Sequence, residues 1–355
     1  MKLIAYVIGA TGWTGAEIIR LLAYHPEIGE IYSISREADI PLETIHPNLT
    51  GVNKNTWSLE SLPGICPDVV FISLPSGKAQ EVAARFAGGK TRIIDLGADF
   101  RFADPEQFGR IYGKPHLAPA LQRKFQYGYP EEFRENISTS HYIANPGCYV
   151  NAALCALLPL IKRNILKTQN IFISAVNGTS GAGSSSKREL LHYNMTNNML
   201  AYSLNGHRHT QEIEEIIKIV TDKNADVSLI TSHGNFARGI FMVIAAKLEE
   251  DIPTDRENIL NILSEYYSDN PFVSIIGQEK GSVGIEKDYG IYPQLSKVIG
   301  SNACHISVDI VSEKRELRIV SVIDNLIKGA AGTAIQNMNI MMGFDEETGL
   351  SRYGI

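Results

Sequence analysis

The chain is poor in cysteine, with only Cys66, Cys148, Cys155 and Cys304 among 355 residues. They are scattered, with no CxxC pair and no metal-ligand spacing, which argues against a disulfide framework and for a reducing compartment. Long apolar runs are missing too. The N-terminal run Met1–Ile8 is too short for a signal or membrane-spanning segment and leads straight into glycines, so it reads as the first strand of a cytosolic protein. Basic clusters are absent and the formal net charge is −6, which argues against nucleic acid or an anionic membrane as the main partner. No internal repeat or low-complexity tract is visible. What remains is an ordinary globular composition, on a chain long enough to predict two packed domains.

The first 150 residues alternate short β-branched runs with helical stretches, as a doubly wound parallel sheet requires. Strands are expected at Leu3–Ile8, Glu30–Ser35, Asp68–Leu74, Arg92–Leu96 and His141–Ala144, with a helix over Gly15–Tyr24 completing a first βαβ unit. From Asp99 to Arg134 aromatic, proline and charged residues make an excursion longer than a connecting loop, the mark of a functional or packed lid. Longer strands follow at Asn170–Val176, Asp226–Ser232 and Gly239–Leu248, and a pair within His305–Ile323 folds back at Ser312–Glu316. A glycine- and alanine-rich helix is expected over Asn325–Met342. The fold class is therefore α/β. A Rossmann-type domain of residues 1–148 and 326–355 is joined to an α+β domain, 149–325, with a mixed, largely antiparallel sheet.

Five segments concentrate chemistry. Asn145-Pro-Gly-Cys-Tyr149 puts Cys148 where a strand stops and a helical run begins. A thiol there meets the positive end of the helix dipole, which favours the nucleophilic thiolate. Gly9-Ala-Thr-Gly-Trp-Thr-Gly15 follows the first strand and opens a helix, as a dinucleotide diphosphate turn does, with GxxGxxG spacing in place of GxGxxG. The second strand ends in Ser35 and Arg36, with no acidic residue for ribose hydroxyls, so NADP is expected over NAD. Gly206-His-Arg-His209 precedes an amphipathic helix that Thr210 can cap; one imidazole can serve as acid/base and Arg208 can bind an anion. His-x-His also suits a metal, but no third ligand is spaced to join it, and none is expected. Asn177–Gly183, with Ser180 and Gly181, is a flexible turn able to approach a nicotinamide ring or a phosphate. A cysteine, a histidine, an NADP turn and anion-binding arginines imply one reaction. Thiolate displaces phosphate from an acyl phosphate, and hydride reduces the thioester to an aldehyde.

These residues resemble the N-acetyl-γ-glutamyl-phosphate reductase family of arginine biosynthesis and, more distantly, aspartate-semialdehyde and glyceraldehyde-3-phosphate dehydrogenases. The resemblance runs nearly the whole length, through Asp95–Arg101, Asn145–Tyr149, Ser180–Gly183, Gly206–His209, Gly300–Asn302 and Ser321–Gly332. It implies Cys148 as the acyl-carrying nucleophile and His209, or failing that His207, as the acid. It also implies that Gly9, Thr11, Gly12, Trp13, Thr14, Gly15, Leu74, Pro75, Ser180, Gly181 and Asn325 hold the cofactor, with Ser35 and Arg36 at its 2′-phosphate. Arg101, Arg110, Asn145 and Arg208 are then expected at the substrate, whose other product is phosphate, in a homo-oligomer (dimer or tetramer).

Two departures, Gly97 where the family carries serine and Ser232–Gly239 where it carries a Pro-His-Leu-like strand, bear on which acyl phosphate is used. The same chemistry on a carrier-protein-bound aminoadipyl or glutamyl phosphate, or on aspartyl phosphate, is the nearest alternative. A non-catalytic dinucleotide sensor is the alternative of another class.

Overall fold

The computed structural model describes residues 2–52, 55–253, 255–277 and 289–355. The chain forms two compact units, Met1–Gly147 with Ala330–Leu350 and Cys148–Gly329 with Ser351–Ile355. Against the boundaries expected from sequence, Cys148 opens the second unit, and residues 326–329 and 351–355 also belong to it.

The first unit is built on a six-stranded sheet: β1 (Leu3–Ile8), β2 (Ile28–Ile34), β3 (Val69–Ile72), β4 (Arg92–Asp95), β5 (Gln126–Tyr127) and β6 (Tyr142–Ala144). All pairs are parallel, in the order β2-β1-β3-β4-β6-β5. The order reverses between β1 and β3, the place where doubly wound sheets receive ligands at their carboxyl ends. β3 is wholly buried, Val-Val-Phe-Ile, because helices cover both faces of such a sheet. The Asp99–Arg134 excursion is a packed structure. It contains the helices Pro105–Tyr112 and Pro119–Gln122, β5 and the start of the helix Pro130–Thr139. Phe100 stacks on Phe125 at 3.8 Å and sits in one core with Val70, Ile72 and Ile93.

The expected Asn325–Met342 helix starts later. Asp324 accepts from Leu326 N at 2.8 Å and Ile327 N at 3.2 Å, a π-helical turn follows over Ile327–Ala331, and the α-helix is Gly332–Met342. Asn325 is thereby left outside the helix, with its side chain available to the loops around it.

The second unit carries β7 (Ile171–Asn177), β8 (Leu200–Tyr202), β9 (Val227–His233), β10 (Ile240–Lys247), β11 (Val273–Ile275), β12 (Cys304–Val311) and β13 (Glu316–Ile323). They pair in the order β11-β12-β13-β10-β7-β9-β8, parallel only at β11/β12 and β7/β9. Along β7 the alternation of period two buries Ile171, Ile173 and Ala175 while Phe172 is left 43% exposed. Helices Cys148–Lys162, Arg208–Thr221 and Arg256–Tyr266 pack on the sheet. Among the described residues no helix is long and apolar enough to cross a membrane.

Candidate active site

The glycine turn is shaped by side chains it cannot have. Gly9 has φ +90°, and a Cβ there would strike the Ser73 carbonyl; one on Gly15 would strike the Gly9 carbonyl. Gly12 is different. It is the N-cap of the helix Trp13–Ala23, with φ −85°, no side-chain cap, and nothing nearer to an added Cβ than the Gly9 carbonyl at 3.4 Å. Packing within the chain therefore does not demand a glycine at 12. An open helix start whose bare backbone admits close approach is what a diphosphate needs, so the turn fits a dinucleotide. Thr11, Gly12 and Thr14 are half-buried and Trp13 is 44% exposed at this mouth.

Leu74 and Pro75 follow β3, half-buried and exposed respectively. Arg36 is exposed, with no ion pair among the described residues, and is open to an anion. Ser35 donates its hydroxyl to the Glu37 carbonyl, a local turn that holds the segment carrying Arg36.

In the second unit Cys148 is the first residue of the helix Cys148–Lys162 and is half-buried. Gly329 makes room for it: a Cβ there would lie 2.8 Å from the Cys148 Cβ. Tyr149, fully buried, sets its ring edge-on to His207 at 5.4 Å and to His209 at 5.9 Å, and the two imidazoles are 4.7 Å apart. Tyr149 and Tyr202 join hydroxyl to hydroxyl at 2.7 Å. Burial raises both phenols, and the charge of Cys148 adds to the rise; Tyr202 is pushed up to about 12. Both are neutral hydrogen-bonding groups at any physiological pH.

The cap of the next helix is His207, in place of Thr210. Its Nδ1 accepts from His209 N at 3.1 Å at the start of the helix Arg208–Thr221. Burial, then the neighbouring Arg208 charge, lowers its pKa to about 4. His207 is thus a neutral imidazole whose Nδ1 lone pair is occupied. Arg208 is exposed, with no ion pair among the described residues.

Asn325 ties two loops together. Its Oδ1 accepts from Gly239 N at 2.6 Å and its Nδ2 donates to Ser180 Oγ at 3.0 Å. Ser180 and Gly181 form a short helical turn, and a Cβ on Gly181 would run into the Asn177 side chain. His233 stacks on Tyr202 at 4.4 Å, which puts the divergent 232–239 segment against the tyrosine pair.

The other residues expected at the substrate make contacts within the chain. Arg101 donates from Nε to the Asn145 carbonyl at 2.9 Å and from a terminal nitrogen to the Leu96 carbonyl at 3.1 Å, clamping main chain. Asn145 is fully buried, donating to the Ala330 carbonyl and accepting from Asn337. Arg110 stands on the surface of the helix Pro105–Tyr112 with Asp104 at 3.5 Å and Glu106 at 3.8 Å.

Residues 5–140 match the family model "Semialdehyde dehydrogenase, NAD binding domain", and residues 148–325 match "Semialdehyde dehydrogenase, dimerisation domain". The chain is 37% identical over 353 residues to an N-acetyl-gamma-glutamyl-phosphate reductase of Halothermothrix orenii, covering 98% of each. It is 37% identical over 350 residues to one of Pseudomonas aeruginosa, covering 97% of each. It belongs to the N-acetyl-γ-glutamyl-phosphate reductase family. Solved structures of more distant semialdehyde dehydrogenases share its fold. Aspartate semialdehyde dehydrogenase II of Vibrio cholerae superposes with TM-score 0.69 at 15% identity, over 97% of this chain and 99% of that one. The Candida albicans enzyme with NADP gives 0.63 at 16%, over 96% and 99%.

As a member of that family the chain is an oxidoreductase, and three of its residues escaped the sequence reading. Gly329 was within reach, since it lies in the Ser321–Gly332 run, but its contact with Cys148 is a long-range one. Asp324, fully buried in the same run, pairs with Arg238 at 3.1 Å and accepts from Gly300 N at 2.8 Å, again long-range contacts. Asp95 is fully buried, with one oxygen accepting from Gly97 N at 3.0 Å and the other unpartnered; burial, then the Asp99 charge, pushes it up to about 7. A side chain at 97 would lie 3.0 Å from that carboxyl, which gives the glycine a packing reason.

Proposed function

We propose that the chain reduces N-acetyl-γ-glutamyl phosphate to N-acetyl-L-glutamate 5-semialdehyde, releasing phosphate. Cys148 as thiolate attacks the acyl carbon, the carbon–phosphate oxygen bond breaks, and a thioester on Cys148 remains. Bound NADPH supplies the hydride that reduces it. The alkoxide so formed is stabilised by a proton from the acid, which takes it back as the carbon–sulfur bond breaks to release the aldehyde and the Cys148 thiolate. His209 is the proton donor, because capping occupies Nδ1 of His207 and its low pKa keeps that ring from becoming an imidazolium. Arg208 receives substrate anion, and Arg36 receives the cofactor 2′-phosphate. Arg101 acts by holding the main chain at Asn145.

The observation that carries this reading is Cys148 at a helix start with Tyr149 packed against both imidazoles. The protein works as a homo-oligomer through residues 148–325. The test is an NADP- and phosphate-dependent oxidation assay that compares N-acetylglutamate semialdehyde with aspartate semialdehyde. Preference for the acetylated substrate is expected; preference for the other overturns the substrate assignment.

A further inference from the structure

The helix Ala79–Phe86 follows β3, the neighbour of β1, so the first unit has a second helix start next to the glycine turn. This one is closed. Its N-cap, Lys78, lies in the αR region and gives no side-chain cap. The cap comes from 20 residues downstream, where the fully buried Asp99 accepts from Gly77 N at 2.5 Å and from Ala79 N at 3.0 Å. A carboxylate of the chain thus already occupies these amides, while the Gly12 start stays open. Asp99 also begins the long excursion to Arg134, and the excursion comes back to the same loop. Lys114 donates from Nζ to the Ser76 carbonyl at 2.6 Å, and its side chain fills the space that a Cβ on Gly77, at φ +81°, would need. Leu117 N donates to Gln80 Oε1. The buried His116 accepts from Ala118 N at Nδ1, 3.1 Å, so its Nε2 carries the proton and donates to the Asp99 carbonyl at 2.9 Å.

Lys114 is exposed, and tying down an exposed lysine costs side-chain entropy while adding little stability. Its effect falls on the loop it holds. That loop borders the crevice where the strand order reverses, with β2 on one side of β1 and β3 on the other. A dinucleotide with its 2′-phosphate at Arg36, just past β2, and its diphosphate on the glycine turn directs its nicotinamide half over the loop after β3. We propose that Asp99 and Lys114 are positioning residues for the cofactor, holding the Pro75–Lys78 loop as a preformed wall for that half. A wall already in place spares the ordering that binding would otherwise cost. The proposal rests on the dinucleotide reading given above.

The test measures dissociation constants for NADPH, NADH and 2′-AMP, which lacks the nicotinamide half, in wild-type, Lys114→Met, Lys114→Gln and Asp99→Asn proteins. Amide hydrogen exchange of residues 76–80 in the ligand-free state is followed alongside. In Lys114→Met both dinucleotides should weaken by the same factor, about fivefold, with 2′-AMP unchanged and exchange in the loop accelerated. Lys114→Gln, which keeps a donor without the charge, should recover most of the loss. Asp99→Asn gives up one of two acceptor oxygens and should lose at least as much as Lys114→Met; if it does not fold, the exposed Lys114 carries the comparison. Unchanged dinucleotide affinity in Lys114→Met overturns the proposal. So does an equal loss for 2′-AMP, the mark of general damage to the first unit. A Lys114→Gln protein as weak as Lys114→Met overturns it too, since the charge would then act on the cofactor directly. If the wild-type protein binds neither dinucleotide, the functional reading itself falls; if it binds both and the variants bind equally well, only the positioning role falls.

Discussion

The glycine turn after β1 and the cysteine turn after β6 are the same local construction, a parallel strand running out into a helix start, yet they are finished in opposite ways. At the first, Gly12 caps the helix with bare backbone and the surrounding positions are kept free of side chains. At the second, Cys148 begins a helix whose next residue is a fully buried tyrosine, itself packed on two buried imidazoles and a second phenol. Binding a flexible anion calls for amides and space. Holding a nucleophile and an acid in register calls for dense, hydrogen-bonded side chains. On the proposed reading, one kind of helix start serves recognition where it is left empty and chemistry where it is filled.

The contrast can be broken most severely at Cys148. Cys148→Ala should lower reductive turnover by about a thousandfold or more, with NADPH affinity within about twofold of wild type, since the nucleophile and the cradle are separate constructions. Steady-state kinetics with a binding titration checks this; a tenth of the wild-type rate would exclude covalent catalysis at that thiol. Next comes the pair of imidazoles. His209→Asn should cost about a hundredfold in turnover, while His207→Asn, which retains a cap acceptor, should cost less and leave the neutral-range ionisation of the rate in place. A pH–rate profile in which His207→Asn abolishes that ionisation would exchange their roles.

At the empty turn the expected effect is smaller and selective. Arg36→Ala should weaken NADPH by about thirtyfold, roughly 2 kcal/mol, and leave NADH nearly untouched. Equal losses would show that Arg36 does not read the 2′-phosphate.

The smallest effect sharpens the comparison through pH. His207 in the second unit has a folded pKa near 4, below its ordinary 6.5, so its contribution to stability is complete above pH 6.5 and is lost as pH falls toward 4. Asp95 in the first unit has a folded pKa near 7, above its ordinary 3.8, so its contribution is complete below pH 3.8 and is lost as pH rises through 7. The two units should therefore lean in opposite directions between pH 4 and 7, each by on the order of 1 kcal/mol per pH unit within its window. Calorimetry of Asp95→Asn should show a gain in melting temperature that grows from pH 5 to pH 8. That of His207→Asn should show a shallower acid decline than wild type. Parallel curves for variant and wild type would refute the respective assignment.

Much of this was legible because the decisive signals are local. Strand β1 reads directly from its short continuous apolar run, and the helix starts at Gly12 and Cys148 follow from glycine and proline placed after a strand. The missed strands β5, β8 and β11 are two or three residues long, too short to display a period of two. The cap at His207 was mistaken for Thr210 because capping depends on which residue leaves helical φ and ψ, and threonine is the commoner capping type. The resemblance sets Arg101 and Arg110 together at the substrate. Only their partners distinguish a main-chain clamp from a surface ion pair. The crowding of Gly329 on Cys148 joins segments far apart in the chain, and no local pattern carries such a contact.

The division of the chain also bears on how the protein is made. The helix Gly332–Met342 belongs to the first unit and is buried through Met341. Asn337 donates to the Gly128 carbonyl, and Asn339 bonds to His25 and to the Glu346 and Thr348 carbonyls. On a ribosome adding roughly 5–20 residues per second, Gly147 emerges many seconds before Ala330. Throughout that interval the nascent first unit lacks the element that covers its interior, while the second unit already has its sheet in sequence. The N-terminal half of the enzyme is thus born first and finished last. Chains stalled or truncated before 330 should be sticky, protease-sensitive and dependent on chaperones, whatever the quality of their remaining sequence.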